Sequence, residues 1–220
     1  MSSIKTPATH QITFLRHGQS TANESQVLQG QMDSPLSKEG IRQCQALARY
    51  WQAQGVMFEK IISSPLGRAH MTAKYVSESL SLEVTLEDAW MEREFGVAEG
   101  VSYDEIISTH EDLPPRSIYA QAYETGESDW DLYIRAAKAI QTLIRNPPGR
   151  YLVVSHGAIL NAALYTILGI TPKPPNQRLR FRFENTGYAE VEYYDPHQRW
   201  TLNSLNNTYH LLQNTIDLDS

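Results

Sequence analysis

The sequence predicts an α/β fold: a three-layer sandwich with a mostly parallel central sheet, an antiparallel edge strand, helices on both faces and a small helical cap. Three observations carry this. Short apolar runs alternate with stretches of helical periodicity between residues 11 and 168, the pattern of strand–helix–strand units. The run Tyr151-Leu152-Val153-Val154-Ser155 is nearly all apolar, as in a strand covered on both faces. From residue 178 on, apolar and polar residues alternate, the period of strands with one face towards water.

Residues 11–15, QITFL, form the first expected strand. A polar stretch with Gly30, Asp33 and Pro35 as turn residues follows. Ser37 is a natural N-cap for a helix with Glu39 in its first turn, Ile41, Leu47 and Tyr50 on its apolar face, and Gly55 as its stop. FEKIISS is a second strand, and PLGRAHMTAKYVSESL a helix with Pro65 near its first turn. LEVTLED is a short third strand. DWDLYIRAAKAIQTLI is a helix with Leu132, Ala136, Ile140 and Leu143 at helical spacing, ended by Pro147-Pro148-Gly149. YLVVS leads through His156-Gly157 into the helix AILNAALYTIL. RLRFRFENT, YAEVEYYD and RWTLNSL are expected as antiparallel strands, and QNTIDLDS as a frayed tail. The Tyr-rich, Pro-interrupted residues 101–128 fit no strand and are expected to form an inserted cap.

Composition narrows the function. The chain has 220 residues, 41% of them hydrophobic and 20% charged, which is ordinary for a globular protein. A net charge of −6 gives no nucleic-acid footprint, and no apolar run approaches the length of a membrane span. Cys44 is the only cysteine, so no intrachain disulfide can form. With a polar, non-secretory start, this predicts a cytoplasmic protein. Cys44 itself falls on an expected helix and reads as inert packing.

Two strand ends carry His-Gly: FLRHG, with Arg16, His17 and Gly18, and VVSHG, with His156 and Gly157. A third strand, KIISS, runs into the helix that bears Arg68. In a doubly wound sheet, ligands bind beyond the carboxyl ends of the strands. If these three are parallel neighbours, Arg16, His17, Arg68 and His156 converge, with Gly18 and Gly157 allowing sharp turns beside them. Four basic groups in one volume repel one another unless an anion lies among them. A phosphoryl group suits that charge, and Arg offers it a fork of fixed donors. No carboxylate or thiolate cluster has metal-ligand spacing, so neither a metal nor a cofactor is implied. Taken singly, each residue has a plainer role: a solvated strand end, a surface arginine or a buried histidine bonded to backbone.

LRHGQSTAN, GQMDSPLSKEG, SSPLGRAHMTA, MEREFGVAEG and VVSHGAIL, in that order, resemble the histidine phosphatase superfamily, which includes the cofactor-dependent phosphoglycerate mutases. The resemblance runs from about residue 12 to 210, and the closing GYAEVEYYDPHQRWTLNSLNNTYHL is similar to the tail of its bacterial broad-specificity phosphatases. It implies one domain over residues 1–220, with the cap inserted at about 101–128. It also implies that His17 is a nucleophile that becomes phosphorylated, with Arg16, Arg68, His156 and Asn23 holding the phosphoryl oxygens. Glu92 aligns with the proton donor, although Glu94 competes by local sequence, and a carboxylate beside a bound anion is driven towards its protonated form. Ala22 departs from the bulky residue or threonine common before the matched Asn.

The implied activity is metal-independent hydrolysis of a small phosphorylated metabolite. Two alternatives stand beside it: a phosphoglycerate mutase-type phosphotransferase, and a non-catalytic phospho-ligand binder. The cap lacks the Arg-Arg run and long Pro-rich loop associated with the mutases, which favours hydrolysis. Gln29, Arg116, Tyr119 and Tyr123 are candidate substrate contacts. His70, His110, His197 and His210 match no motif and read as surface or packing residues. Neither the substrate nor the oligomeric state is written in the motifs.

Overall fold

The computed structural model describes residues 9–110, 117–174 and 177–216. β1 (Thr9–Arg16) is buried along most of its length and leads to a short helix, α1 (Thr21–Glu24). Ser20 caps that helix: its Oγ accepts from the Asn23 N–H, while the Asn23 side chain accepts from the Ser20 N–H. α2 (Lys38–Ala53) starts at the expected cap, where Ser37 Oγ accepts from the Gly40 N–H at 3.0 Å. Its buried face includes Cys44, Leu47 and Trp51, and Gly55 follows it with φ +64°.

β2 (Lys60–Ser63), α3 (Gly67–Leu80) and β3 (Val84–Leu86) come next. Two 3-10 turns, Asp88–Trp90 and Gly96–Ala98, then lead to α4 (Tyr103–His110). α5 (Asp129–Ile144) spans the residues its periodicity predicts and is capped by Ser128. β4 (Arg150–Ser155) runs directly into α6 (Gly157–Leu168), and β5 (Tyr188–Tyr194), β6 (Arg199–Asn207) and α7 (Tyr209–Ile216) complete the chain.

The six strands form one sheet in the order β3-β2-β4-β1-β5-β6. β3, β2, β4 and β1 pair in parallel, whereas β5 pairs antiparallel with both β1 and β6. Successive side chains point to opposite faces, and the core divides accordingly. Ile12, Phe14, Ile62 and Val153 pack with Leu132, Ala136, Ile140 and Ile159 of α5 and α6. Leu15, Ile61, Leu152 and Val154 pack with Leu47, Trp51, Ala73 and Val76 of α2 and α3. The expected three layers and mostly parallel sheet are present. Among the described residues no helix is long and apolar enough to cross a membrane.

The sequence misread two segments. RLRFRFENT is not a strand: residues 178–186 join no ladder of the sheet. From Leu179 to Phe183 their backbone bonds go to side chains instead. Asn161 of α6 accepts from the Phe181 N–H at 2.7 Å and donates to the Phe181 carbonyl at 2.9 Å. The Tyr165 hydroxyl donates to the Leu179 carbonyl, and Arg16 donates to that of Phe183 at 2.7 Å. The second misread segment is the expected frayed tail, because residues 213–216 continue α7 and only 217–220 lie outside the described residues. The described residues among 101–128 contribute no strand to the sheet and include α4; 111–116, with the candidate Arg116, lie outside the described residues.

α7 is anchored by His210, which is 1% exposed. The Thr186 hydroxyl donates its proton to the Asn185 carbonyl at 2.7 Å. His210 Nε2 must therefore be the donor in its 2.9 Å bond to Thr186 Oγ1. Burial lowers the His210 pKa from 6.5 to about 4. Between those two values the unfolded chain binds the extra proton, so stability present above pH 6.5 is lost as the pH falls towards 4. Replacing His210 with Gln removes that titration. The drop in unfolding free energy between pH 7 and pH 5, read from urea melts, should shrink by about 2 kcal/mol. An unchanged drop would contradict the assignment.

Candidate active site

Register brings the two His-Gly pairs together. Arg16 is opposite Ser155 in the β1–β4 pair, so His17 and His156 follow at the same level. The His17 N–H donates to the Ser155 carbonyl at 2.9 Å, and the two imidazole centroids are 5.0 Å apart. Ser63 of β2 is opposite Val154, which places Ser64 beside them: its hydroxyl is 2.8 Å from His156 Nε2. Arg68 enters from the first turn of α3. Arg16, His17 and Arg68 line a cavity of about 680 Å³ together with Asn23, Gln29 and Glu92, whereas His156 does not line it and meets it only through the His17 ring.

His17 is buried, and its Nδ1 is 2.7 Å from the Gly18 carbonyl. A carbonyl only accepts, so Nδ1 carries the proton and Nε2 keeps the lone pair. Burial, then the charges of Arg68 and Arg16, hold the His17 pKa well below its ordinary 6.5. His156 is lowered in the same way, by burial first and then by Arg68. Both imidazoles are thus neutral at pH 7, and only the guanidiniums bring positive charge to this end of the cavity.

Those guanidiniums are held by carbonyls. Arg68 donates to the Gly30 carbonyl at 2.6 Å and that of Met32 at 2.9 Å; Arg16 donates to Phe183. Burial lowers both arginine pKa values, offset in part by Glu92. The Nε–H groups of Arg16 and Arg68 and the Nδ1 of His156 are buried with no hydrogen-bond partner. A buried donor without an acceptor costs about 1–3 kcal/mol, so the two guanidinium N–H groups fit the oxygens of an anion, as does His156 Nδ1 in the tautomer whose Nε2 accepts from the Ser64 hydroxyl.

Glu92 sits at the N-terminus of α6. Its carboxylate accepts from the Ala158 N–H at 3.1 Å, from Ile159 at 3.2 Å and from Arg93 at 2.8 Å, where the helix dipole favours negative charge. The competing Glu94 is exposed and does not line the cavity. The Arg93 side chain turns away, to Asp129 at 2.6 Å and to the Glu127 carbonyl. Asn23 Oδ1 accepts from Ser20 and from Asn185, and its side-chain N–H groups have no partner among the described residues. Gln29 lines the cavity and accepts from Ser20 Oγ at 2.7 Å.

The profile of the histidine phosphatase superfamily (branch 1) matches residues 12–208. The chain belongs to this superfamily. A probable phosphoglycerate mutase of Yersinia enterocolitica is 31% identical over 214 residues, which cover 94% of this chain and 97% of that one. Phosphoserine phosphatase from Entamoeba histolytica, solved in complex with 3-phosphoglyceric acid, is 27% identical with a TM-score of 0.75, over 92% of this chain and 99% of its own. Phosphoglycerate mutase from Bacillus anthracis shares the fold, with a TM-score of 0.77 at 20% identity over 94% and 97% of the two chains.

Against the superfamily motifs, several outcomes were not legible. Tyr119 is 67% exposed and packs on Trp130, while Tyr123 packs on Phe95; neither lines the cavity. Tyr103, Arg178, Arg180 and Arg182 do line it. The arginines went unseen because their segment was read as strand. Asn185 also went unseen; its side chain donates to the His17 carbonyl at 3.1 Å.

The expected role of the two glycines needs correcting. Neither Gly18 nor Gly157 has a positive φ. Gly18 is required by close approach, since a Cβ there would lie 2.7 Å from Cys44 Sγ and 2.8 Å from the Gly40 carbonyl oxygen. At Gly157 a Cβ would meet only Glu92 Oε2, at 3.9 Å. Gly18→Ala should therefore lower unfolding free energy by about 1–3 kcal/mol, and Gly157→Ala by less than about 0.5 kcal/mol. Urea melts of the two variants test this, and equal losses would contradict it.

Proposed function

We propose that the protein hydrolyses phosphomonoesters of small metabolites through a phosphohistidine at His17, without a metal. One observation carries the reading: a neutral imidazole with Nδ1–H committed to the Gly18 carbonyl stands beside buried guanidinium N–H groups that have no protein acceptor. The imidazole supplies the nucleophile and the guanidiniums the charge that metal ions supply in other phosphoryl transfers.

In the first step the Nε2 lone pair attacks phosphorus and the bond to the ester oxygen breaks. Arg16, Arg68, Asn23 and His156 hold the phosphoryl oxygens as charge develops on them. Glu92, in its protonated form, gives its proton to the leaving alkoxide. In the second step Glu92 takes a proton from water, whose oxygen attacks phosphorus. The P–N bond breaks, phosphate leaves and His17 is again neutral. Glu92 is suited to this by its place in the cavity, because an anion bound beside a carboxylate drives it towards its protonated form.

The homologue at 31% identity, named a probable phosphoglycerate mutase, favours a second reading in which the phosphoryl group passes back to an organic acceptor. A mutase should hold a long-lived phosphoenzyme and need a bisphosphate primer. A phosphatase should release phosphate within its turnover time and need none.

His17→Ala should abolish phosphate release from an aryl phosphate and abolish acid-labile labelling of the protein, with the circular dichroism spectrum retained. Residual turnover would remove His17 as the nucleophile. Glu92→Gln should slow alkyl phosphates by about 10²–10⁴-fold and aryl phosphates, which leave without a proton, far less. Equal losses would assign the proton to another group. In the free protein, ¹⁵N NMR should show the His17 ring still neutral as the pH passes down through 6.5, because its pKa is depressed. Protonation at or above 6.5 would contradict the geometry.

A further inference from the structure

The cavity holds more charge than a phosphoryl group requires. Five arginines line it, Arg16, Arg68, Arg178, Arg180 and Arg182, against three carboxylates, Glu92, Asp129 and Glu184. Arg178 pairs with Asp129 at 2.6 Å, and Arg182 pairs with Glu184. Arg16 and Arg68 face the proposed phosphoryl position with Glu92 beside them. That leaves Arg180, which has no carboxylate or hydrogen-bond partner among the described residues.

Arg180 is nevertheless not on a free loop. The residue before it is fixed through the Leu179 carbonyl to Tyr165, and the residue after it through both backbone groups of Phe181 to Asn161. Both partners are on α6, whose N-terminus carries Glu92. The charge of Arg180 acts on Arg16 and on Tyr103, a second cavity-lining residue. Arg180 is exposed on the lining of the cavity, and a cation held there by its backbone and lacking a counter-ion is placed to meet an anion. The volume of about 680 Å³ has room for a ligand well beyond a phosphoryl group.

We propose that Arg180 anchors a second anionic group, so that the preferred ligands are small phosphomonoesters carrying a carboxylate or a further phosphate. The proposal rests on the hydrolase reading only in placing the first phosphoryl group at Arg16 and Arg68. Arg suits either tail, since its fork matches both oxyanions.

The test is calorimetric binding to the His17→Ala protein, in which no phosphoryl transfer occurs. Two ligand pairs are compared: 3-phosphoglycerate with glycerol 3-phosphate, and glucose 1,6-bisphosphate with glucose 6-phosphate. The ligand with the charged tail should bind about tenfold tighter in at least one pair, as a charge-assisted contact allows, and that pair names the tail. Adding Arg180→Ala should bring the ratio near one, and Arg180→Lys should restore part of it. A ratio near one in both pairs, or a preference that survives Arg180→Ala, overturns the proposal. Phosphate release from an aryl phosphate by the unsubstituted protein judges the hydrolase reading separately.

Discussion

The constraint on which this structure turns is the burial of guanidinium charge at the end of a parallel sheet. Taking a cation out of water costs several kcal/mol even after the surroundings relax. The protein offsets this for Arg68 with the carbonyls of Gly30 and Met32, and for Arg16 with that of Phe183. Carbonyls solvate the charge without neutralising it. A carboxylate in their place would cancel the field that an arriving anion must feel. The two imidazoles follow the same logic: burial and the adjacent arginines keep them neutral, so positive charge is not added where it would only repel.

Much else is support for that arrangement. The carbonyls of Gly30 and Met32 must present themselves to Arg68, which requires the turn after α1 to be fixed. Gln31 does part of this, its N–H donating to the Glu99 carboxylate and its side chain to the Glu92 carbonyl. Thr186 adopts φ +57°, a conformation costly for a β-branched residue. Its N–H reaches the carbonyls of Arg16 and His17, while its hydroxyl accepts from His210. The last helix thereby braces the backbone that carries the nucleophile candidate, although α7 itself lies outside the cavity.

These dependencies explain which parts were readable from sequence. The sheet core was, because burial on two faces leaves no polar position in Val153-Val154 and the period of α5 is unbroken over four turns. The central chemical groups were readable because Arg16 ends β1, His17 and His156 follow their strands directly and Arg68 opens the helix after β2, where topology fixes position with little help from side chains. Residues 178–186 were not. Their alternation is that of a strand, yet Asn161 and Tyr165 take the bonds a neighbouring strand would have taken. A single asparagine on a helix gives no local sign that it will do so. Gly18 was legible as a glycine but not for its reason, because the Gly40 carbonyl and Cys44 that crowd it belong to a helix more than twenty residues on.

The cavity therefore has two ends built on different principles. At one, strand ends and helix starts set Arg16, His17, Arg68 and His156 by register, and a one-residue slip would misdirect every one of them. At the other, an irregular segment carries Arg178, Arg180 and Arg182 on side-chain clamps. Substitution there leaves the sheet untouched, because no ladder bond depends on it. Chemistry fixed by the sheet and recognition carried by the clamped segment can then change independently. That division fits a superfamily in which relatives with mutase and phosphatase names share one fold, and under the proposal for Arg180 it gives residues 178–184 a part in ligand choice.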